Sequence, residues 1–403
     1  MTVHTVPKAK LRRIALESQG LLKQAPFGRG KHATRRAIEH LGYVQIDTIS
    51  VVARSHDHVL HARVPNYRPE HLSRLQREGA IFEYWYHAAA YLPMSDFRFA
   101  LTRMRAMASN EERWIRSRDH KLMAQVLARV ETEGPLKARD FENPEPRNSG
   151  WWNWKPAKAA LEQLFMQGDL MIVARDGFQK TYDLTSRVLP ADIDTRMPDD
   201  EEMAAYLLRT MIRSHGFITP KSVTHLRRGR DIRIALKQVI EGAVADGQLI
   251  VIRLPCGDTA YADPERLEAR AAPANDRAQL LSPFDNLVIH RDRVQSVFDF
   301  DYQIECYLNE SDRQYGYFCL PLVYRDRLVG RADCKALRRE ERFEIRHLHL
   351  ETAADNRTLD DGFLPALTDA LGRFAEFNDC RDIALIRTSP ARWEVPLRRA
   401  LAS

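Results

Sequence analysis

The chain contains 403 residues, of which 44% are apolar and 29% charged, with 18 Gly and 20 Pro. This composition indicates a folded protein of two to four domains and excludes a collagen-like, low-complexity or disordered chain. No stretch approaches the roughly 18–20 apolar residues of a membrane-spanning helix, and the basic N-terminal segment lacks the apolar core of a signal peptide. The five cysteines are odd in number and widely spaced, which favours a reducing cytoplasm over a disulfide framework.

The net charge of +6 arises entirely at the N-terminal end. Residues 1–60 contain ten Lys or Arg and four Asp or Glu, whereas the remainder of the chain has 51 residues of each sign. A basic end on an otherwise neutral protein favours a polyanionic partner, because neutralising phosphates releases counterions. A solvated helix face is the alternative interpretation of the same charges.

Apolar periodicity predicts two short basic helices near the N-terminus, over residues 8–22 and 31–41. Arg35 and Arg36 lie on the outward face of the second helix and are candidate DNA contacts. The two helices and the turn between them resemble the beginning of a helix-turn-helix.

A second segment has the order of a winged helix. A helix is predicted over 121–132, another begins near Pro156, and a hairpin turns at Asp176-Gly177. Trp151, Trp152 and Trp154 precede the second helix, where they either pack against it or stack on bases.

The same order of elements recurs in the next segment. Helices are predicted over 201–214 and 232–245, and a hairpin turns at Cys256-Gly257-Asp258. The recurrence predicts an internal repeat of about 80 residues.

Basic residues at the front of each predicted recognition helix are candidate phosphate contacts, with plain solvated side chains as the alternative. These residues are Lys155, Lys158, Arg227 and Arg228.

The last part of the chain is predicted to be a small β-barrel or curled sheet closed by a helix. Residues 298–306 alternate strictly between apolar and polar side chains, which predicts a half-buried antiparallel strand. Further strands and one helix are predicted within the segments 315–324, 326–335, 341–351, 359–377 and 381–389.

Basic residues that precede the predicted barrel have two interpretations. His290, Arg291 and Arg293 either reach DNA or are held by Asp285 in a structural ion pair.

Several common catalytic motifs are absent from the sequence, namely GxSxG, GxxxxGK[ST], HExxH and a strand followed by GxGxxG. His56, His58 and His61 have spacing that suits zinc, but Cys or Glu partners are lacking nearby. We therefore predict neither a metal nor a cofactor, and we assign His56, together with Arg54, to a phosphate-facing surface.

Gln45-Ile46-Asp47 is the candidate catalytic segment. In an extended chain Gln45 and Asp47 project to one side while Ile46 anchors the other. A carboxylate and an amide flanking one cavity suit a hydrolysis in which positive charge develops on a sugar and water attacks it. A leaving base that is already cationic needs no general acid. From spacing alone, a turn-forming Asp and a backbone-capping Gln remain the alternative.

Four segments together resemble the YcaQ-like and AlkZ-like DNA glycosylases of interstrand-crosslink repair, and the resemblance covers nearly the whole chain. These segments are residues 45–56, 82–94, 150–165 and 280–294. The motif of that family is Gln, an apolar residue, then Gln or Asp. Asp47 at the third position resembles the YcaQ-like branch.

The resemblance implies an α+β fold with three tandem winged-helix domains and a C-terminal β-barrel-like domain in a C-shaped clamp. The expected boundaries are 1–107, 108–195, 196–273 and 274–403. It also implies excision of N7-alkylated guanine, including crosslinked guanine, from double-stranded DNA. Asp47 would activate water and stabilise the sugar cation, and Gln45 would position that water.

We expect a monomer in the cytoplasm, associated with the nucleoid. Two other functions compete with this prediction. Winged helices serve transcriptional regulators more often than enzymes, so a non-enzymatic DNA-binding protein is the main alternative. A hydrolase of free nucleosides is the more distant one, since it would not need the basic N-terminus.

Overall fold

The computed structural model describes residues 2–114, 118–141, 154–225, 227, 229–270, 273, 275–351 and 359–402, without the side chains of Trp154 and Lys155. The predicted tryptophan cluster, the Lys155 side chain and Arg228 therefore lie outside the described residues.

The first 108 residues contain a three-stranded antiparallel sheet in the order β2-β4-β3. The elements are β1 (Val3–Thr5), α1 (Lys8–Ser18), α2 (Gly30–Leu41), β2 (Val44–Gln45), α3 (Ser55–His61), α4 (Glu70–Arg77), β3 (Ile81–Trp85), β4 (Ala89–Pro93) and α5 (Arg98–Ala108). The two predicted N-terminal helices are confirmed. Helix α2 is followed by Gly42, whose φ is 81°. A Cβ at this position would collide with the Thr210 side chain.

The second sheet has the order β5-β7-β6. Its elements are α6 (His120–Glu133), β5 (Leu136–Lys137), α7 (Trp154–Met166), β6 (Leu170–Asp176), β7 (Gln179–Leu184) and α8 (Thr185–Val188). Asp119 caps α6 by accepting the Leu122 N–H at 2.9 Å.

The third sheet repeats this arrangement and adds one strand. Its elements are α9 (Asp200–His215), β8 (Phe217–Ile218), α10 (Pro220–Val223), α11 (Asp231–Ala245), β9 (Ile250–Arg253), β10 (Thr259–Ala262) and α12 (Pro264–Glu268). The strand order is β1-β9-β10-β8, with β1 parallel to β9. The N-terminal strand and α1 therefore pack with the third sheet, where Leu11 shares a core with Phe217 and Ile252.

The three sheets share one connectivity. In each, a short strand that follows a helix pairs with the second strand of a hairpin, as β2 does with β4, β5 with β7, and β8 with β10. The predicted repetition of helix, helix and hairpin between residues 121–184 and 201–262 is confirmed. We call residues 30–108 the first repeat, residues 120–188 the second repeat and residues 200–268 the third repeat.

A curled six-stranded sheet follows, covered by a C-terminal helix. Its elements are β11 (Ala278–Leu280), α13 (Arg291–Phe298), β12 (Cys319–Tyr324), β13 (Arg327–Leu337), β14 (Arg342–Leu350), α14 (Phe363–Phe377), β15 (Asp382–Leu385), β16 (Thr388–Ser389) and α15 (Glu394–Leu401). Strands β11 to β14 are antiparallel neighbours, and β15 and β16 run parallel to β14. Phe343, Phe363 and Phe374 fill the core between sheet and helix.

The prediction of a strand over 298–306 was wrong. Helix α13 extends to Phe298, and the described residues 299–306 form no strand. Burial nevertheless alternates over residues 298–303, where Phe300 and Tyr302 are buried while Asp299 and Asp301 are exposed. An extended segment that packs side chains against a core shows this pattern without any pairing of its backbone with a neighbouring strand.

Candidate functional site

The Gln45-Ile46-Asp47 segment lies where the chain leaves the first sheet. Gln45 pairs with Ala90 of β4, and the Ile46 N–H donates to the Ala89 carbonyl at 2.7 Å. The Ile46 side chain is packed into the core of the first repeat. Because side chains alternate along an extended chain, this pairing directs the Gln45 side chain away from that core.

The Gln45 amide is nearly buried and is held by a histidine. Its Oε1 accepts a hydrogen bond from His87 Nε2 at 3.1 Å. An amide oxygen only accepts, so the bonded ring nitrogen carries the proton. Burial lowers the pKa of His87 to about 4, with smaller contributions from His225 and Arg227, and the ring is neutral at pH 7.

Asp47 is half-buried and closes a turn. Its Oδ1 accepts the Ile49 N–H at 2.7 Å. The turn-forming interpretation of Asp47 is thus correct as local structure, whereas the Gln45 side chain bonds to a histidine and not to the backbone. The turn uses one carboxylate oxygen, which leaves Oδ2 as a further acceptor for a water molecule or a developing cation.

Cys306 and Tyr307 lie close enough to Asp47 to interact with it electrostatically. Desolvation, and then the charge of Asp47, raise the pKa of Cys306. Desolvation also raises the pKa of Tyr307, and the charges of Cys306 and Asp47 add to that rise. The Tyr307 side chain is 73% exposed. Sequence reasoning missed both residues, because a contact between such distant segments leaves no local pattern.

Two clefts share part of their lining, and His87, the hydrogen-bond partner of Gln45, lines the first of them. The first, of about 710 Å³, is lined by Trp85, Tyr86 and His87 of the first repeat and by Tyr206 and Arg227 of the third. The preceding aromatic residue, Tyr84, does not line this cleft, since it is buried and donates to the Met166 carbonyl.

The second cleft, of about 940 Å³, lies between the third repeat and helix α13. Lys221, His225, Arg227 and Arg291 contribute to its lining. Arg227 borders both clefts, with its guanidinium 4.7 Å from the centre of the Tyr86 ring. The second cleft has more basic than acidic side chains in its lining, whereas the first combines arginines with Asp96, Glu111, Glu112 and Asp200.

Four histidine rings form a ladder from the first cleft into the interior. The ring centres are 5.7 Å apart between His87 and His225, 4.9 Å between His225 and His290, and 5.0 Å between His290 and His215. Burial is the largest cause of the lowered pKa of every one of them. The four rings are consequently uncharged at neutral pH. At the inner end of the ladder, Arg293 donates to His215, whose bonded ring nitrogen therefore carries no proton.

Comparison with known proteins identifies the family. The family described as DNA glycosylase AlkZ-like matches residues 38–377, which is most of the chain. The chain belongs to the AlkZ-like DNA glycosylase family. It is therefore a DNA glycosylase of DNA repair, and the alternative of a non-enzymatic regulator does not hold.

A solved structure is similar to this glycosylase over almost its full length. It is the Streptomyces sahachiroi DNA glycosylase AlkZ, with a TM-score of 0.63 and 15% identity. The match covers 96% of this chain and all of that one. At this identity the similarity establishes the AlkZ-like fold.

Six predicted DNA contacts of the glycosylase lie at least partly at the surface. Arg35 and Arg36 are exposed on α2, where Arg35 pairs with Glu39 and Arg36 donates to the Phe27 carbonyl. The others are Arg54, Lys158, Arg227 and Arg291.

Arg54 lies against the hairpin of the second repeat. It donates to the Gly177 carbonyl at 3.3 Å, and its guanidinium is 4.4 Å from the centre of the Phe178 ring. Phe178 is 53% exposed at the tip of that hairpin. This contact joins the first repeat, just before helix α3, to the second repeat.

Three other predicted contacts are buried. His56, His290 and Arg293 are 6%, 7% and 8% exposed. Burial lowers the pKa of Arg293 to about 10, and burial also lowers the pKa of His56. Side chains this enclosed do not present charge to a phosphate in the present conformation.

The proposed ion pair of Asp285 with Arg291 and Arg293 was wrong. Asp285 instead forms a bidentate pair with Arg63, with distances of 2.7 and 2.8 Å, and both side chains are fully buried. Arg291 donates to the Pro283 carbonyl and lies over the Tyr302 ring. The Arg63–Asp285 pair links the first repeat to the C-terminal region. Arg63 also donates to Gln19.

The described residues offer neither a metal site nor a membrane-spanning helix. No group of three or more His, Cys, Asp or Glu in them is arranged to hold a metal ion. His58 donates to the Leu280 carbonyl, and His61 stacks on Phe377 with ring centres 4.0 Å apart. None of the described helices combines the length and apolarity needed to cross a membrane.

Proposed function

We propose that this glycosylase hydrolyses the N-glycosidic bond of N7-alkylated guanine in double-stranded DNA, including guanine in interstrand crosslinks. The reaction leaves an abasic site and uses neither a metal nor a cofactor. Asp47 and Gln45 are the proposed catalytic residues.

The chemistry follows from the charge of the substrate. Alkylation at N7 makes the base cationic, so it departs as a neutral purine when the bond between C1′ and N9 breaks. Positive charge then develops on the sugar, where the Asp47 carboxylate stabilises it. A water held by the Gln45 amide attacks C1′ and transfers its proton to Asp47.

One observation carries this proposal. Asp47 is fixed by its bond to the Ile49 N–H, yet it is only half-buried and lies beside the exposed Tyr307. Gln45, two residues earlier, is fixed by its bond to His87 at the edge of a cleft. A held carboxylate two residues after a held amide supports a preorganised pair of the kind that hydrolysis of a cationic nucleoside requires.

We further propose that the repeats are three winged-helix domains, with boundaries 1–107, 108–195 and 196–273, followed by a β-barrel-like domain over 274–403. Their common sheet order supports this division. The domains would form a C-shaped clamp around DNA. Exposed arginines and lysines of the predicted set would contact phosphates, and Lys155 and Arg228 remain predictions. We place the enzyme in the cytoplasm at the nucleoid, as a monomer.

The test uses purified protein and duplexes that carry one defined lesion. One duplex contains N7-methylguanine, a second a nitrogen-mustard crosslink, and a third O6-methylguanine, in which the base is neutral. We expect release of free base, and alkali-labile breaks, from the first two only. Absence of release from N7-methylguanine, or equal release from O6-methylguanine, would overturn the proposal. Binding should weaken with salt and be nearly independent of sequence.

A further inference from the structure

His87 is placed over Gln45 by the register of the first sheet. Strand β3 ends at Trp85 and β4 begins at Ala89, so His87 lies in the tight turn between them. The Tyr86 N–H closes this turn by donating to the Ala88 carbonyl at 2.9 Å. Because β2 pairs with β4, the turn extends beyond the end of β2 and brings the His87 ring to the Gln45 amide.

The orientation of the His87 ring is fixed by its neighbours. The Tyr43 ring meets it edge-on, with a centre distance of 5.1 Å and an angle of 90°. Tyr43 itself stacks on Tyr86 at 4.3 Å, and His225 approaches from the third repeat. Rings restrained on several sides do not rotate freely, so the N–H of His87 remains directed at Gln45.

We propose that His87 is a positioning residue, which holds the Gln45 amide with its NH₂ group directed toward the attacking water. This inference rests on the proposed function, since it assigns the task of orienting water to Gln45. An amide has two ends of similar shape, and only the NH₂ end donates. By occupying the oxygen end, His87 selects the orientation in which Gln45 donates to the water oxygen.

The neutral state of the histidine suits this role. A charged imidazolium near the scissile bond would repel both the cationic base and the positive charge that develops on the sugar. The ring is buried next to another neutral histidine, His225, and near Arg227. This surrounding favours the uncharged ring, which still donates the one hydrogen bond that Gln45 needs.

A double-mutant cycle tests the proposal. The variants are His87→Phe, which keeps an aromatic ring and removes the donor, Gln45→Ala, and the combination. Excision of N7-methylguanine is measured as kcat and KM, alongside duplex binding and melting temperature. We expect His87→Phe to lower kcat about tenfold with KM and binding nearly unchanged. In the Gln45→Ala background the same change should cost little more, because its target is already gone.

Two further variants complete the experiment. His87→Gln retains a side-chain N–H donor and should recover part of the lost kcat. His120→Phe changes an exposed histidine of α6 and should have no effect. Equal losses from His87→Phe in both backgrounds, or a change in KM alone, would overturn the positioning role while leaving the proposed function intact. A wild-type protein that releases no base would overturn both.

Discussion

Asp47 of the first repeat and Asp140 of the second both follow a short strand, two residues after β2 and three residues after β5, and each accepts a backbone N–H. Asp47 accepts the Ile49 N–H, and Asp140 accepts the Lys137 N–H, each at 2.7 Å. The third repeat uses Thr219 in a capping box with Ser222 for a similar purpose. In each repeat, therefore, a polar side chain that follows this strand accepts a backbone N–H.

The surroundings of the two carboxylates differ. Asp140 is exposed and has the Arg139 guanidinium 4.0 Å away, whereas Asp47 is half-buried beside Cys306 and Tyr307. The described residues 46–54 form neither helix nor strand, while a helical turn directly follows the strand in the other two repeats. Turn formation is thus compatible with the catalytic role that we propose for Asp47, and the surroundings decide whether a turn-forming carboxylate can also meet a substrate.

The largest expected effect comes from Asp47→Asn, with Asp140→Asn as its matched control. Asparagine retains an oxygen that accepts the Ile49 N–H, so the turn persists while the negative charge is lost. We expect excision of N7-methylguanine to fall by about 10²–10⁴-fold for Asp47→Asn, with duplex binding retained. Asp140→Asn should excise at the wild-type rate. Comparable losses in both variants would show that only the turn matters.

The repeats also differ in the burial of their histidines, which predicts an acid-sensitive stability. His58 of the first repeat is fully buried and donates to the Leu280 carbonyl, whereas His120 of the second is exposed. Burial lowers the pKa of His58 to about 4, while the unfolded chain takes up this proton near pH 6.5. The unfolded state then binds more protons between these values. Stability is full above pH 6.5 and falls by about 3 kcal/mol from this residue as the pH drops to 4.

The measurement is chemical denaturation between pH 4 and 7. His58→Gln keeps a donor for the Leu280 carbonyl and removes the titrating group, so its unfolding free energy should depend less on pH. His120→Gln should follow the wild type. An unchanged pH dependence in His58→Gln would contradict the assignment of this effect to the buried ring.

Local patterns in the sequence predicted much of the fold. The helices at residues 8–18 and 30–41 and the hairpin around Gly177 follow from apolar periodicity and turn residues, because these signals act over a few residues. The strand expected over 298–306 failed because burial alternates there without a pairing partner. Strand pairing depends on distant segments, so an alternating pattern alone cannot establish it.

The candidate site was predictable only in part. Gln45 and Asp47 were identifiable from their spacing and from the resemblance to a family, while Tyr307 was not. The partner of Asp285 was assigned by proximity in sequence to Arg291, and the structure places Arg63 there instead. Contacts between residues far apart in the chain are set by how the repeats pack, and no local signal records them.

Gln45→Ala changes the last residue of strand β2 in the first repeat. Lys137→Ala is its control, because Lys137 is the last residue of the corresponding strand β5 in the second repeat. Loss of the amide removes the hydrogen bonds that orient the attacking water, so we expect kcat to fall about 10- to 100-fold. Lys137 forms a surface ion pair with Asp176, and its loss should leave kcat unchanged at saturating duplex. A Gln45→Ala enzyme with wild-type kcat would exclude the amide from the reaction.

Thr219→Ala, in the third repeat, has the smallest expected effect. Its hydroxyl accepts the Ser222 N–H at 3.1 Å, while the Thr219 N–H donates to the Ser222 hydroxyl at 3.0 Å. Removal of such a cap costs about 1 kcal/mol of unfolding free energy, which denaturation at pH 7 measures. Excision should be unchanged, because the Thr219 hydroxyl is already used in the cap. A loss of kcat comparable to that of Asp47→Asn would mean that residues of the third repeat also take part in the reaction.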